Sequence, residues 1–431
     1  MNIEIDSLAI KQRELEQQLS HKCQSYNEYE TYLDINYEIV RNSLADHEVV
    51  IDFSDYQTED SVRQYVAYIY DKDKSHPLLV KCFEQQQLDS LLDGMQNFTL
   101  YNFEQLQDGA ANLIWKSIEA NIAKGSTVYY IPSGIMHSIA LEALPLSDGT
   151  VLGQHYNFVR LTSAREIANA HHSNKIDRTA TLYGGLQYSL APQKMEEESK
   201  VYEKSDLAGL VRSEYGESGF KDLSNTKDEV KRIEKTLMND GFRVKAYLGS
   251  KGNAESFVAL NGKLTSIVHI ATHGFYYTPD EAKDNDFLSG YTDAMSLSGL
   301  VFAGGNAAWL GKKNIDGVLG GVLTAKDIAN LDFKGTDLMV LSACKTAQGK
   351  VTSEGVFGLQ RAFKKAGVGT IVMSLWNVDD KVTSEFMVAF YEQLTDKTNN
   401  WNKRKAFEQT KEIIRKKHPD PYYWAAFVML D

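Results

Sequence analysis

Two residues in this chain have the chemistry to break an acyl bond together, His273 and Cys344. A thiolate is a strong nucleophile, and an imidazole within hydrogen-bond reach activates it and later protonates the leaving amine. Each residue follows a short apolar run: Val268-His-Ile-Ala-Thr-His-Gly274 and Val340-Leu-Ser-Ala-Cys-Lys-Thr346. Such runs, flanked by turn signals, read as buried parallel strands. Open α/β sheets place their chemistry at the carboxyl ends of those strands. Acyl transfer also needs donors for the developing oxyanion, and the backbone N–H groups of Gly274 and Cys344 are economical sources. The constellation requires no metal and no cofactor. The competing reading makes Cys344 an inert core thiol and His269 or His273 a hydrogen-bonded core residue.

Other residues compete for a role. His137 sits among apolar neighbours in Gly134-Ile-Met-His-Ser-Ile, without a strand-end nucleophile beside it, and reads as a packed structural histidine. His171 and His172 lie in a polar stretch with no nearby thiol or carboxylate, which reads as a solvated linker. The glycines of Ala303-Gly-Gly-Asn306 and Gly317-Val-Leu-Gly-Gly321 form neither GxxxxGK[ST] nor a GxGxxG between strand and helix. Tight turns and close backbone approach explain them better than phosphate binding.

The elements that must position the pair read as two α/β series. Residues 3 to about 45 are helical in character. Strands are expected at 48–53, 64–70, 78–83 and 127–132, with one helix over 102–124. After the 169–175 linker come a strand at 180–186, a polar excursion over 191–225 and a helix opened by a capping box, Thr226-Lys-Asp-Glu229. Strands follow at 241–248, into His273, at 336–343, at 368–375 and at 422–430. Helices are expected at 256–260, 323–330 with Thr324 as cap, 354–366, 381–394 and 401–417. Alternation of this kind is the signature of α/β layering.

Composition sets bounds. A chain of 431 residues holds two or three domains. Its net charge of -12 argues against a general nucleic-acid binder. The three cysteines, Cys23, Cys82 and Cys344, are far apart and unpaired in motif, so they indicate neither a disulfide framework nor zinc. That usage fits a reducing compartment. No apolar run approaches a membrane span, and the acidic N-terminus lacks a signal-peptide core. A cytoplasmic location, without membrane or nucleic-acid partners, is the expectation.

The motifs jointly carry a resemblance. His269-Ile-Ala-Thr-His-Gly274, Leu323-Thr-Ala-Lys-Asp-Ile328, Leu341-Ser-Ala-Cys-Lys-Thr-Ala-Gln-Gly349, Glu354-Gly-Val-Phe-Gly-Leu-Gln-Arg-Ala-Phe363, Ser374-Leu-Trp-Asn-Val-Asp-Asp380 and Tyr422-Tyr-Trp-Ala-Ala-Phe427 resemble the CHAT domain family. Those proteins are caspase-like cysteine peptidases related to separase and often attached to tetratricopeptide repeats. Tyr130-Ile-Pro-Ser-Gly134, Ala140-Leu-Glu-Ala-Leu-Pro145 and Thr226-Lys-Asp-Glu229 are similar to the family too.

The resemblance implies a caspase-like three-layer αβα sandwich with a mostly parallel central sheet. It implies a helical segment at 1–45, vestigial of a repeat array, a non-catalytic half at 46–175 and a catalytic half at 176–431. It also implies His273 as base, Cys344 as nucleophile and an oxyanion site at Gly274. Asp380, with Asp379 adjacent, matches the acidic position by which separases receive arginine, and a carboxylate there would pair bidentately with a guanidinium. Cleavage of a protein or peptide after Arg or Lys follows from that match. The other reading of Asp379 or Asp380 is a helix cap. The expected function is therefore cysteine endopeptidase, under control of a regulatory protein partner. The alternatives are a latent or inactive scaffold and a cysteine-dependent acyltransferase. Latency elements are expected in 191–225 and in the segment after His273.

Overall fold

The computed structural model describes residues 31–93, 95, 97–169, 177–202, 219–277, 295–310, 315, 317–342 and 353–431. Several expectations lie outside these residues. They are the segment before residue 31, the His171 and His172 linker, residues 203–218 of the polar excursion, the segment from 278 to 294, and Cys344 with the loop that follows it.

The apolar β-branched runs line up in one sheet of eleven strands. Its order is β3 (Leu78–Glu84), β2 (Arg63–Tyr70), β1 (Glu48–Gln57), β4 (Thr127–Ile131), β5 (Asn157–Arg160), β14 (Phe427–Leu430), β13 (Thr370–Ser374), β12 (Leu338–Leu341), β8 (Ile267–Ile270), β6 (Thr179–Leu186) and β7 (Arg243–Gly249). Antiparallel pairing is confined to β1 with β2, β2 with β3, and β13 with β14. The other neighbours run parallel. Strands β8, β12 and β13 are buried throughout, as a parallel sheet covered on both faces requires.

Alternation along β6 and β8 sorts the two covering layers. On one face, His269 of β8 meets Glu229 of helix α1 (Thr226–Asn239) and Tyr391 of helix α3 (Asp380–Thr395). On the other, Tyr183 of β6 packs against Phe257, which touches Phe302 and Phe333, and Phe333 reaches Phe363 of helix α2 (Ser353–Lys365). A helix layer on each face makes the expected αβα sandwich. The outer strands follow the same rule. Trp115 packs edge-on against Phe158, centroids 5.2 Å apart, while the opposite face buries Val50 and Tyr70 beneath Val40 and Ile35. Helix α4 (Lys403–Lys417) lies along α3.

Five local expectations are corrected. The helix over 102–124 is three short pieces, Phe103–Leu106, Gly109–Ile114 and Lys116–Glu119; Gln107 adopts a positive φ of 50° and breaks the first turn from the next. The run 422–430 opens as a helical turn, Pro421–Trp424, because Asp420 caps it by accepting from Tyr422 N–H at 2.9 Å. The segment 323–330 is divided between strand β11 (Val322–Thr324) and a helix, Ala325–Ile328, although Thr324 caps as expected. The capping box at Thr226 does not form. Asn225 is the cap residue, and Thr226 Oγ1 donates to Leu223 O while accepting from Gly185 N–H, each at 2.9 Å. Finally, His273 does not end the β8 strand. Strand β8 stops at Ile270, and His273 opens β9 (His273–Tyr276) in a second sheet of order β11, β10 (Ser298–Val301), β9.

Candidate active site

Ala271 and Thr272 carry the chain from one sheet into the other, and this bend places His273. Ala271 N–H still bonds Tyr183 O of β6 at 2.8 Å. Thr272 is fully buried, donates its hydroxyl to Val301 O and lies 3.0 Å from the Tyr188 hydroxyl. His273 then pairs with Val301, and Gly274 with Leu300, in the antiparallel register of β9 and β10. Parallel pairing of Leu341 with Ile270 ends β12 beside this bend. Strand β12 is the one that leads to Cys344, and Ser342 is the last described residue before it.

The imidazole of His273 packs against two aromatic rings and is held at Nε2. Tyr188 lies against the ring with centroids 4.8 Å apart, and Phe220 with centroids 5.2 Å apart. Nε2 is 2.7 Å from the carbonyl oxygen of Lys221. A carbonyl only accepts, so Nε2 carries the hydrogen and Nδ1 carries the lone pair of the neutral ring. That arrangement fixes both tautomer and orientation, which a general base requires. Burial, first among its causes, holds the Tyr188 hydroxyl above its ordinary range, with Asp222 and Asp380 adding smaller repulsive contributions. His273 itself is 3% exposed.

The two adjacent aspartates separate. Asp379 is the exposed cap of α3, accepting from Lys381 N–H at 2.9 Å and Val382 N–H at 3.2 Å. Asp380, half-buried, accepts from the Asn225 amide side chain at 3.1 Å and from its backbone N–H at 3.4 Å. Asn225 lies four residues after Lys221, and the Asp380 charge reaches Tyr188, the ring packed against His273. His269 faces helices α1 and α3. It is fully buried, with Nε2 2.8 Å from Glu229 Oε1 and Nδ1 3.4 Å from the Tyr391 hydroxyl.

His137 occupies a buried turn, Gly134–Ser138, and its carbonyl accepts from Arg160 Nη2 at 2.7 Å. Burial first, then the Arg160 guanidinium, pushes its ring down to about 3, so it stays neutral at physiological pH. Cys82 is half-buried, and burial pushes its thiol up to about 11; a thiol so disposed is a poor nucleophile. Among the described residues, no three His, Cys, Asp or Glu side chains gather as a metal site. No helix among them is long and apolar enough to cross a membrane.

Sequence reasoning missed the residues that hold the imidazole, Tyr188, Phe220 and Lys221, and the one that holds Asp380, Asn225. Lys221 acts through its backbone carbonyl, which leaves no mark in a sequence. Phe220 and Asn225 lie in the polar excursion, whose lack of periodicity concealed them.

An α/β sandwich carrying a buried, carbonyl-anchored histidine just past the bend that follows parallel strand β8 defines the class. Within it, the CHAT domain family model matches residues 108–431, and the chain belongs to that family. Tetratricopeptide repeat protein 28 of Homo sapiens is 32% identical over 111 residues, which is 25% of this chain and 4% of the human protein. The protein of the same name from Mus musculus is 31% identical over 111 residues, again 4% of its length. The match therefore spans only a small part of these relatives. In structure, the chain is similar to Saccharomyces cerevisiae separase in complex with securin, with a TM-score of 0.49 and 10% identity over 94% of this chain and 31% of that chain. It is also similar to the Arg-specific cysteine proteinase gingipain R, with a TM-score of 0.40 and 10% identity over 79% of this chain and 68% of that chain.

Proposed function

We propose that this protein is a cysteine endopeptidase in which Cys344 attacks the scissile carbonyl, His273 moves the proton, and the N–H groups of Gly274 and Cys344 receive the oxyanion. The observation that supports it best is the 2.7 Å contact of His273 Nε2 with Lys221 O. It leaves Nδ1 as the basic nitrogen, on a residue set beside the end of the strand that leads to Cys344. Asp380 is the carboxylate that would receive an Arg or Lys side chain before the cut. In this reading Asn225 holds that carboxylate in place. The substrate is a protein or peptide, the compartment is the cytoplasm, and a regulatory protein partner controls access. Domain boundaries near residues 46 and 176 belong to the same proposal, with the catalytic half following the second.

A peptidyl ketone electrophile bearing P1 Arg tests it. Label is expected on Cys344, and Cys344→Ala is expected to abolish both label and turnover. Cleavage that persists in Cys344→Ala moves the nucleophile elsewhere. Hydrolysis, rather than transfer to an added amine, is expected among products resolved by mass spectrometry. The burial of His273 favours one second reading, a latent or inactive scaffold. Absence of label on folded protein selects it.

A further inference from the structure

We propose that Asn306 is a positioning residue of the His273 site, acting by clamping the Phe220 peptide so that the next carbonyl, Lys221 O, stays where it receives His273 Nε2–H. The assignment rests on the reading of His273 as base, and its test reads the imidazole directly.

Asn306 is 4% exposed and uses its whole carboxamide. Oδ1 accepts from Phe220 N–H at 2.6 Å. Nδ2 donates to Phe220 O at 2.9 Å and to Ser189 Oγ at 2.9 Å. One acceptor and two donors meet three partners, matching what the side chain offers in those directions. The backbone takes part as well, since Asn306 N–H donates to Tyr188 O at 3.0 Å. One residue therefore ties together the two residues whose rings pack against the imidazole, Tyr188 through its carbonyl and Phe220 through both of its backbone polar groups.

The surrounding sequence is built to deliver this side chain. Strand β10 ends at Val301, and Gly304 turns the chain with a φ of 81° into the short helix Gly305–Trp309. A Cβ on Gly305 would lie 2.4 Å from Val301 Cγ1, and one on Gly219 would lie 2.8 Å from Asn306 Oδ1. A side chain at Gly219 would press on the Asn306 carboxamide, and one at Gly305 on Val301 and the Gly321 backbone. The glycines of the Ala303-Gly-Gly-Asn306 motif thus serve close approach, and the residue they bring in is the asparagine.

Truncating Asn306 leaves the Phe220 N–H and C=O buried without a partner. The segment must then shift to find new ones, and Lys221 O moves with it. The imidazole loses its fixed acceptor, so both neutral tautomers become populated. A displacement on the order of 1 Å in a catalytic group costs about 100-fold in rate.

The test uses the full chain with 15N-labelled histidine and two-bond 1H–15N correlation spectra across pH, on wild type, Asn306→Ala, Asn306→Asp and Ser189→Ala. Wild-type His273 is expected as the pure Nε2–H tautomer in its neutral form. Asn306→Ala is expected to give mixed tautomers and a displaced His273 titration, with a loss of about 100-fold that falls on kcat rather than KM where turnover is measurable. Ser189→Ala removes one partner but leaves the Phe220 clamp, and is expected to keep the wild-type tautomer. If Asn306→Ala does not fold, Asn306→Asp carries the same reading, because it keeps the shape and the acceptor but loses the donor to Phe220 O. The proposal is overturned by a folded Asn306 variant with a wild-type His273 spectrum and titration. It is equally overturned if Ser189→Ala perturbs the ring as much as Asn306→Ala, or if wild-type His273 is protonated at Nδ1. Loss of the tautomer in the Asn306 variants, with no cleavage by any form, sinks the peptidase reading and leaves Asn306 as the residue that orients the ring.

Discussion

His137, His269 and His273 are all buried or nearly so, and their partners decide what each can do. His269 faces a carboxylate, His273 a carbonyl and two aromatic rings, and His137 a guanidinium. For His137 the consequence is a dependence of stability on pH. Its folded value of about 3 lies below the ordinary 6.5. Between those limits the unfolded chain binds the proton and the folded chain does not. Stability therefore falls as pH drops below about 6.5, at up to about 1.4 kcal/mol per pH unit. His137→Gln removes this group, so its unfolding free energy is expected to fall less than that of wild type between pH 7 and pH 5. Urea titrations at the two pH values measure it; parallel losses in both proteins would mean that His137 does not stay neutral when folded.

At the level of elements, the two aspartates before α3 make separable predictions. Asp379→Ala deletes a cap that accepts two backbone N–H groups and is expected to cost about 0.5–2 kcal/mol of stability, leaving P1 selectivity unchanged. Asp380→Asn keeps the shape but removes the charge, and on the proposed function it lowers the preference for Arg over Leu at P1 by about 10- to 100-fold, the worth of a charge-assisted hydrogen bond. Matched peptides differing at P1 decide between them, and selectivity that follows Asp379 instead would reverse the assignment. Elements of this kind were legible where pattern and burial agree. The buried strands β8, β12 and β13 are dominated by apolar residues, and α1 shows its inward stripe of Val230, Ile233 and Leu237. Strand β5 was missed because Asn157 and Arg160 interrupt its apolar character, and Arg160 is buried only because carbonyls of the His137 turn receive it. The bend at Ala271 and Thr272 was illegible for a similar reason. Whether a strand continues or changes sheet depends on β10, which lies distant in sequence.

At the scale of the molecule, strands from residues 48–160 and from residues 179–430 make one sheet only because the last strand closes it. Strand β14 pairs antiparallel with β13 and reaches β5 through a single register position, Leu430 with Arg160. Side chains from α4 reinforce that narrow seam. Arg404 donates to Phe158 O at 3.0 Å and pairs with Asp431. Lys411, almost fully buried, lies 2.9 Å from Glu142 Oε1. Burial is the largest influence on the Glu142 carboxyl and pushes it up, but the Lys411 charge and hydrogen bond outweigh it and hold it below its ordinary 4.5. A depressed carboxylate contributes stability that is present above its unfolded value and is lost as pH falls through the folded one. Lys411→Met strands this carboxylate in the seam, with an expected cost of about 3–5 kcal/mol at pH 7. Without its partner Glu142 takes up a proton at higher pH, which relieves the stranded charge. The stability gap between wild type and Lys411→Met is therefore expected to narrow as pH drops from 7 towards 4.5. Thermal unfolding across that range measures the gap. A gap that stays constant would assign the loss to packing of the lysine stem, and the seam would then be held by shape rather than charge.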